Sequence, residues 1–399
     1  MREWDKVSGY EEKNTEESAN KRKYVFPPVS LLDNSTIDMD YHSKDDVEKA
    51  ARLESIMAQY GAKIKVLNVY SGLRVTRYEF LPIDGTRIED VVSLKEDVEL
   101  YYCGRKIRIE RQVSGKAAMA FEICDGDFDL LRLKNVIEDD EYESSESNTR
   151  FAVGMGLDRK IVYSDLKELG NLLVTGYTGS GKSTFMQAFI LNLLYKANPD
   201  ELKFALIDTK IVEYSRFNAL PHLVQKPINS LDKAFSFLES LVDEIEIRNK
   251  LFAENGVRSI GQYNLLMKSK YTSVLPEIVL IIDEIADLIM LDKTRFEDII
   301  IKLLQRGRHA GIYVVLSTQM NSRNINREIM RLIRVNGNGK IRFSTGSNDE
   351  LSEDSLMGLG DMLFKSDSWM NVRRLQGLYV DNEEITRVVD YITSHNLYE

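Results

Sequence analysis

A phosphate-binding motif is the most informative feature of the chain. Residues 176–183 read Gly-Tyr-Thr-Gly-Ser-Gly-Lys-Ser, a complete G-x-x-x-x-G-K-[ST] pattern between an apolar run and a helical pattern. Glycines at these positions let backbone N–H groups close around phosphate oxygens at the start of the following helix. The sequence therefore predicts a nucleotide site. Its expected nucleotide-binding residues are Gly176, Tyr177, Thr178, Gly179, Ser180, Gly181, Lys182, Ser183 and Thr184.

Further polar residues follow two other apolar runs. The run 278–282 ends at Asp283 and Glu284, the form of a Walker B strand, and the run 313–316 leads to Gln319. Lys182 would contact the β- and γ-phosphates, while Ser183 and Asp283 would hold Mg²⁺. Glu284 would polarise the attacking water, a role that hydrolysis needs and simple binding does not. Gln319 could sense the γ-phosphate, although an ordinary loop glutamine is the alternative for that residue.

The order of the elements predicts where these residues meet. Apolar, β-branched runs at 171–175, 203–208, 277–283 and 312–317 alternate with helical patterns. That alternation is typical of an α/β fold with a mainly parallel sheet covered on both faces. Ligands of such folds bind at the carboxyl ends of the strands. We therefore expect the polar strand ends to form one site.

The chain divides by composition into four parts. Residues 1–23 are polar and predict a disordered tail. Residues 24–137 contain short strand and helix patterns, which indicate a smaller α+β module without a catalytic constellation. Residues 138–149 carry six acidic side chains and no basic one, which favours a solvated linker, with an acidic docking segment as the alternative. Residues 150–399 form the fourth and largest part, an expected α/β domain that contains the phosphate-binding motif.

Charge and composition narrow the class of protein. The chain has 53 Lys+Arg against 63 Asp+Glu, a net charge of −10 that argues against nucleic-acid binding when it is averaged over the whole surface. Between Lys302 and Arg342, however, the sequence contains nine basic residues and one acidic residue. This segment is either a solvated face or a surface for a polyanion such as DNA. Two cysteines and four scattered histidines predict neither a disulfide framework nor a zinc site. The absence of a signal peptide and of a long apolar run predicts a cytoplasmic protein without a transmembrane segment.

The motifs, taken in order, resemble those of the FtsK/SpoIIIE family of DNA translocases. The similarity covers roughly residues 25–399 and is looser in the N-terminal module, where it involves residues 75–80 and 115–116. The resemblance identifies residues 150–399 as a motor domain, and the segments that carry it there are 171–183, 206–210, 220–223, 283–288, 308–312, 317–319 and 356–363.

This resemblance implies a RecA-like P-loop NTPase motor that uses ATP and Mg²⁺ and forms a homo-hexameric ring around double-stranded DNA. By position, Lys293, Arg295, Arg323 and Asn324 lie in segments that look like DNA-gripping loops, and Arg327 belongs to the same basic stretch. Arg308 and Arg342 are candidates for an arginine finger, a group that stabilises charge at a neighbouring subunit's phosphate.

Two departures from the family pattern shape the hypotheses. The family's membrane-spanning N-terminus and C-terminal winged-helix module are not recognised, and residues 338–342 read Asn-Gly-Lys-Ile-Arg in place of Pro-Thr-Arg-Ile. The leading hypothesis is an ATP-hydrolysing translocase of double-stranded DNA, with plasmid or mobile-element transfer or segregation as a candidate setting. One alternative is a conjugative coupling ATPase that delivers DNA to a secretion channel through a membrane or relaxase partner. The other alternative is a nucleotide-gated DNA-binding scaffold with little turnover.

Overall fold

The structure is a computed structural model of the chain. The structure describes residues 24–35, 37, 46–113, 115–124, 129–210, 213–319, 339–343, 356, 358–366 and 372–396. The predicted tail, residues 1–23, lies outside these ranges, as do residues 320–338 of the basic segment. Among the described helices, none has the length and apolar character needed to cross a membrane.

The N-terminal module is built on a four-stranded antiparallel sheet with the order β1-β2-β4-β3. Its strands are β1 (Ile64–Ser71), β2 (Val75–Pro82), β3 (Ile107–Glu110) and β4 (Met119–Cys124). Its helices are α1 (Asp46–Gln59), α2 (Ile88–Ser93) and α3 (Lys95–Tyr101). Apolar side chains recur on one face of α1, and Leu53 and Ile56 are buried there in one cluster with Phe80 and Phe121 of the sheet. Gly61, at a φ of 88°, adopts the left-handed conformation that commonly ends a helix.

The motor domain is organised around a nine-stranded mixed sheet with the order β6-β5-β13-β12-β11-β7-β10-β9-β8. The five strands from β11 to β8 are parallel. They are β7 (Asn171–Thr175), β8 (Leu202–Ile207), β9 (Glu277–Ile282), β10 (Ile312–Thr318) and β11 (Gly339–Phe343). The other half is antiparallel and adds β5 (Arg150–Gly156), β6 (Ile161–Asp165), β12 (Asp361–Ser366) and β13 (Arg373–Gly377). The sequence predicts four of the five parallel strands, namely β7, β8, β9 and β10, whereas β11 and the antiparallel half were not predicted.

Helices cover both faces of this sheet. In the described part of the motor domain the helices are α6 (Leu166–Leu169), α7 (Lys182–Lys196), α8 (Leu231–Glu254), α9 (Ile260–Ser269), α10 (Ile285–Leu291), α11 (Lys293–Ala310) and α12 (Asn382–His395). Successive side chains of a strand point to opposite faces. Accordingly Leu172 and Val174 belong to the cluster that includes α7, whereas Leu173 lies between them in the cluster that includes α8 and α11. Burial on both faces explains why β7 reads as a continuous apolar run.

The acidic segment, residues 138–149, is not the solvated linker that its composition suggests. Two short helices, α4 (Leu133–Ile137) and α5 (Asp140–Glu143), lie along the motor domain. Tyr142 is 3% exposed, and its hydroxyl donates to the backbone oxygen of Asn192 in α7 at 2.7 Å. One aromatic side chain thus anchors the segment while most of its carboxylates remain at the surface.

A buried ion cluster connects the two sheets. The Glu122 carboxylate of β4 accepts from Arg374 of β13 at 2.5 Å, from Arg77 at 2.6 Å and from Arg108 at 2.9 Å. Arg374 also pairs with Asp361, at 2.7 Å. Buried charges need partners of opposite sign, so this cluster fixes the N-terminal module against the antiparallel half of the motor sheet.

Candidate nucleotide site

The phosphate-binding loop connects β7 to α7 with the geometry that its glycines permit. Gly181 has a φ of 102°, and α7 begins at Lys182. A Cβ atom on Gly181 would lie 2.4 Å from the backbone nitrogen of Gly360, and one on Gly176 would lie 2.7 Å from Ser180 Oγ. Glycine is required at both positions because a side chain would collide. The loop thereby leaves a concave backbone surface at the positive end of α7, where phosphate oxygens bind.

Lys182 is buried and has partners on the neighbouring strands. Its side chain is 4% exposed, and Nζ donates to Ser317 Oγ at 2.8 Å and lies 3.4 Å from Asp283 Oδ1. In the parallel register, Leu316 of β10 pairs with Ile282 of β9, which brings Ser317 and Asp283 beside each other. The structure therefore brings together Lys182 and Asp283, as the sequence predicts from the common edge of the sheet.

Glu284 is linked to the end of β10. Its carboxylate accepts from Thr318 Oγ1 at 2.6 Å and from the backbone N–H of Gln319 at 3.1 Å. Lys210, at the end of β8, lies 3.5 Å from the same carboxylate. Thr178 Oγ1 of the phosphate-binding loop donates to Gln319 Oε1 at 3.3 Å. Four elements thus meet around Glu284 and Gln319, and a change at the phosphate-binding loop would reach the chain after β10 directly.

A carboxylate that the sequence analysis missed contacts Ser183. Ser183 Oγ donates to Glu213 Oε1 at 2.9 Å. Glu213 is held in place by Asp208, whose Oδ2 accepts from the backbone N–H groups of Glu213 at 2.9 Å and Tyr214 at 3.1 Å. Asp208 ends the run at 203–208, so a search of the residues just after that strand end could have found Glu213. Because the Ser183 proton points to Glu213, the lone pairs of the hydroxyl oxygen remain for a cation.

The residues of the site fit a nucleotide with Mg²⁺. Hydroxyl and carboxylate oxygens are the ligands that Mg²⁺ prefers, and Ser183, Asp283 and Glu213 supply them. Ser180 Oγ is buried and has no hydrogen-bond partner among the described residues, and it belongs to the loop that would surround the phosphates. Ser183 and Asp283 would hold the cation, and Lys182 would hold the phosphates.

A cavity of about 480 Å³ continues from the phosphate-binding loop. Its volume is in the range of small-molecule sites. Part of the cavity wall comes from the antiparallel half of the sheet with its connections, and from the connection that precedes α4. The side chains there are Leu130, Leu359, Gln376, Leu378 and Tyr379. This largely apolar wall suits the flat ring of a base. The strands of the antiparallel half, which contribute to the wall, were not predicted from the sequence.

Three of the predicted DNA-contact and arginine-finger residues have described side chains, Lys293, Arg295 and Arg308, and these three do not line the cavity. Lys293 and Arg295 begin α11, where Lys293 is exposed and Arg295 pairs with Glu239 of α8 at 2.9 Å. Arg308 lies near the other end of α11, with Nε donating to the backbone oxygen of Lys167 at 2.9 Å. Arg342 lies in β11, and its side chain is outside the described part of the structure. The remaining predicted DNA contacts fall outside the described residues: Arg323, Asn324 and Arg327.

Two family profiles match the chain. The profile described as FtsK/SpoIIIE family matches residues 132–323, and the FtsK alpha domain profile matches residues 26–125. The chain is 37% identical over 383 residues to the DNA translocase FtsK of Clostridium acetobutylicum, covering 94% of this chain and 50% of that protein. It is 33% identical over 385 residues to the DNA translocase SpoIIIE of Bacillus subtilis, covering 93% and 48%. The chain thus spans about half the length of these curated relatives.

Solved structures share the fold at lower identity. The pCW3 conjugation coupling protein TcpA, in its monomer form with ATPγS, has a TM-score of 0.56 at 22% identity, covering 86% of this chain and 99% of that chain. The cytoplasmic domain of the type VII secretion ATPase EccC of Thermomonospora curvata also has a TM-score of 0.56, at 19% identity, covering 67% of this chain and 35% of that chain. The expected α/β P-loop NTPase fold, preceded by a smaller α+β module, is confirmed.

Proposed function

The chain belongs to the FtsK/SpoIIIE family, and from that premise we propose that it is an ATP-hydrolysing motor that translocates double-stranded DNA. The observation that carries the proposal is the meeting of Lys182, Asp283, Glu284 and Gln319 at one edge of the sheet. A protein that binds nucleotide without hydrolysing it has no need for Glu284 and Gln319 beside the phosphate site. Both residues are linked by a direct hydrogen bond here.

Different residues of the site have different roles in ATP hydrolysis. Lys182 and the backbone N–H groups of the loop bind and orient the phosphates. Ser183 and Asp283 would hold a Mg²⁺ ion, which would supply positive charge to the β- and γ-phosphates. Glu284 accepts hydrogen bonds from Thr318 and Gln319, which aim its carboxylate, and it would take the proton of the attacking water.

The same contacts connect hydrolysis to DNA. Gln319 is bonded to Glu284 through its backbone and to Thr178 through its side chain. Arg323 follows Gln319 by four residues and is the first of four arginines, at positions 323, 327, 331 and 334 of the basic segment. Loss of the γ-phosphate would alter the surroundings of Gln319 and shift the arginines after it. Arginines of this density bind phosphates without reading bases, which suits a motor that moves along any sequence.

A DNA-dependent ATPase assay combined with particle sizing tests this proposal. We expect ATP hydrolysis that duplex DNA stimulates, that Lys182→Ala abolishes, and that accompanies a particle of six subunits. Arg323→Ala should reduce the stimulation by DNA, whereas Arg306→Ala should leave it intact. Arg306 is the control because it is an arginine of the same basic segment whose side chain is exposed and pairs with Glu246 at 2.6 Å. Hydrolysis that is indifferent to DNA across a range of salt concentrations would refute the proposal.

A conjugative coupling ATPase is the second candidate. It is supported by the likeness to TcpA, which spans nearly the whole of that chain and most of this one. This function predicts that a relaxase or a membrane protein of a transfer channel is recovered with the chain under transfer conditions. Recovery of neither partner, with DNA-stimulated hydrolysis retained, favours the general translocase. Turnover near zero with saturating DNA would instead favour a nucleotide-gated scaffold, and turnover that Glu284→Gln abolishes would exclude it.

A further inference from the structure

Three successive residues beside the nucleotide cavity adopt the left-handed backbone conformation. Gly358, Leu359 and Gly360, here named the 358–360 loop, have φ values of 72°, 50° and 92°. Glycine tolerates this conformation and leucine does not favour it. Such a backbone persists when surrounding contacts determine it. The contacts that hold this loop therefore indicate what it does.

The first set of contacts comes from the phosphate-binding loop. The backbone N–H of Gly360 donates to the backbone oxygen of Ser180 at 2.8 Å. A Cβ atom on Gly181 would lie 2.4 Å from the Gly360 nitrogen, and one on Gly358 would lie 3.6 Å from the oxygen of Gly179. The two loops thus pack backbone against backbone. A shift of the 358–360 loop would move the residues that surround the phosphates.

The second set comes from the N-terminal module. Arg74, just before β2, is 8% exposed, and its Nη1 donates to the backbone oxygen of Gly358 at 2.5 Å and faces that of Leu359 at 3.4 Å. Gln376 of β13 donates to the Leu359 oxygen at 2.9 Å from the motor side. A guanidinium bound to a carbonyl inside the protein makes a strong, directional hydrogen bond. Arg74 therefore fixes one end of the loop from outside the motor domain.

The module also reaches the other end of the loop. Asp361 follows Gly360 directly, and its backbone N–H donates to the Gly358 oxygen at 3.1 Å. Its carboxylate is held by Arg374, which in turn binds Glu122 of the module. Both ends of the 358–360 loop are thus tied to the N-terminal module by buried charged groups.

We propose that the N-terminal module completes the nucleotide site, with Arg74 acting as a positioning residue that sets the phosphate-binding loop through the 358–360 loop. The inference rests on the nucleotide site of the proposed function and assigns part of that site to the module. By thermodynamic linkage, nucleotide binding must stabilise the Arg74 contact as much as that contact favours nucleotide binding. Nucleotide occupancy would therefore change how firmly the module is held on the motor domain.

A pair of matched arginine variants of the full chain tests the proposal. Arg74→Met removes the donors and keeps the aliphatic stem. Arg159→Met does the same to Nε of Arg159, which donates across the same interface to the Ser71 oxygen at 3.0 Å rather than to an oxygen of the 358–360 loop. ATP affinity, measured by equilibrium binding without DNA, should fall about 3- to 30-fold in Arg74→Met, the effect expected of part of a charged hydrogen bond. Arg159→Met should bind as the natural chain does, and Arg74→Lys should restore part of the affinity.

Two further readouts separate positioning from a general loss of stability. Amide hydrogen exchange of residues 176–184 should accelerate in Arg74→Met and stay unchanged in Arg159→Met. Conversely, ATP should slow exchange at residues 72–76 of the natural chain. Equal affinity in the two methionine variants, with unchanged exchange in the phosphate-binding loop, would overturn the inference. Failure of the natural chain itself to bind ATP would instead overturn the proposed function.

Discussion

Substituting Glu122 by glutamine tests whether the buried ion cluster holds the module to the motor. Glu122 is 1% exposed and is contacted by three guanidinium groups, those of Arg77, Arg108 and Arg374. Burial alone would raise the pKa of Glu122, but the charges of Arg374, Arg108 and Arg77 outweigh it and lower the pKa from 4.5 to about 2. The glutamine variant keeps the shape of the side chain and removes its charge.

The size of the effect follows from this shift in pKa. A lowering by roughly 2.5 units corresponds to about 3 kcal/mol of stability at pH 7. Breaking a buried ion pair by removing one partner costs a similar ~3–5 kcal/mol. Because the folded pKa is lowered, this stability is fully present above the unfolded pKa of 4.5 and is lost as pH falls toward 2. The contribution should therefore shrink to about 2 kcal/mol at pH 3.5.

Urea unfolding of the two proteins at a series of pH values measures this contribution, since urea does not screen charges as guanidinium does. The difference in unfolding free energy between the natural chain and Glu122→Gln cancels the titration of other groups. Glu110→Gln is the control, because Glu110 pairs with Arg77 at 2.8 Å but has a side chain that is 27% exposed. We expect that control to cost less than about 1 kcal/mol. A Glu122→Gln cost that is below 1 kcal/mol, or that grows as the pH falls, would refute the reasoning.

Three further predictions concern the site and its scaffold. Glu284→Gln should bind ATP and slow hydrolysis about 10²- to 10⁴-fold in single-turnover assays, and rapid turnover would remove Glu284 from the base role. Glu213→Ala should raise the Mg²⁺ concentration that half-saturates ATP binding, while Glu213→Gln, which can still accept from Ser183, should raise it less; identical titrations would contradict this role. Gly307→Ala should destabilise the fold by about 1–3 kcal/mol in urea unfolding, because its Cβ would lie 2.4 Å from a carbonyl oxygen. Gly261→Ala has open space and should be neutral or stabilising, so an equal loss in both would refute the packing argument.

Four of the five parallel strands and the catalytic core of the site are readable from the sequence. Strands buried on both faces leave continuous apolar runs, and the polar residue after each run marks the carboxyl edge of the sheet. Lys182, Asp283, Glu284 and Gln319 were therefore predicted to meet from their positions alone. Their contacts in the structure agree with that expectation.

The antiparallel half escaped the sequence analysis for a physical reason. Arg374 and Gln376 of β13 are 7% and 8% exposed, since one pairs with carboxylates and the other lies beside the 358–360 loop. Polar residues at alternate positions read as a solvated face, although here they face the module and the nucleotide cavity. The acidic segment shows the opposite error, since a segment predicted to be solvated is anchored by a buried residue. Its composition is dominated by acidic residues, so it does not reveal that the single ring of Tyr142 is buried.

The charges of the site constrain how ligands enter it. Lys182 and Asp283 are 4% and 3% exposed at the side chain, and each neutralises the other at 3.4 Å. A phosphate that takes Lys182 leaves the Asp283 carboxylate buried beside another anion, which is strongly unfavourable unless a cation accompanies the phosphate. ATP and Mg²⁺ should therefore bind as a coupled pair. The Mg²⁺ titration used for the Glu213 variants tests this. ATP affinity should fall steeply without Mg²⁺ in the natural chain and much less in Asp283→Asn, and equal dependence in both would show that Asp283 is not the group left without a partner.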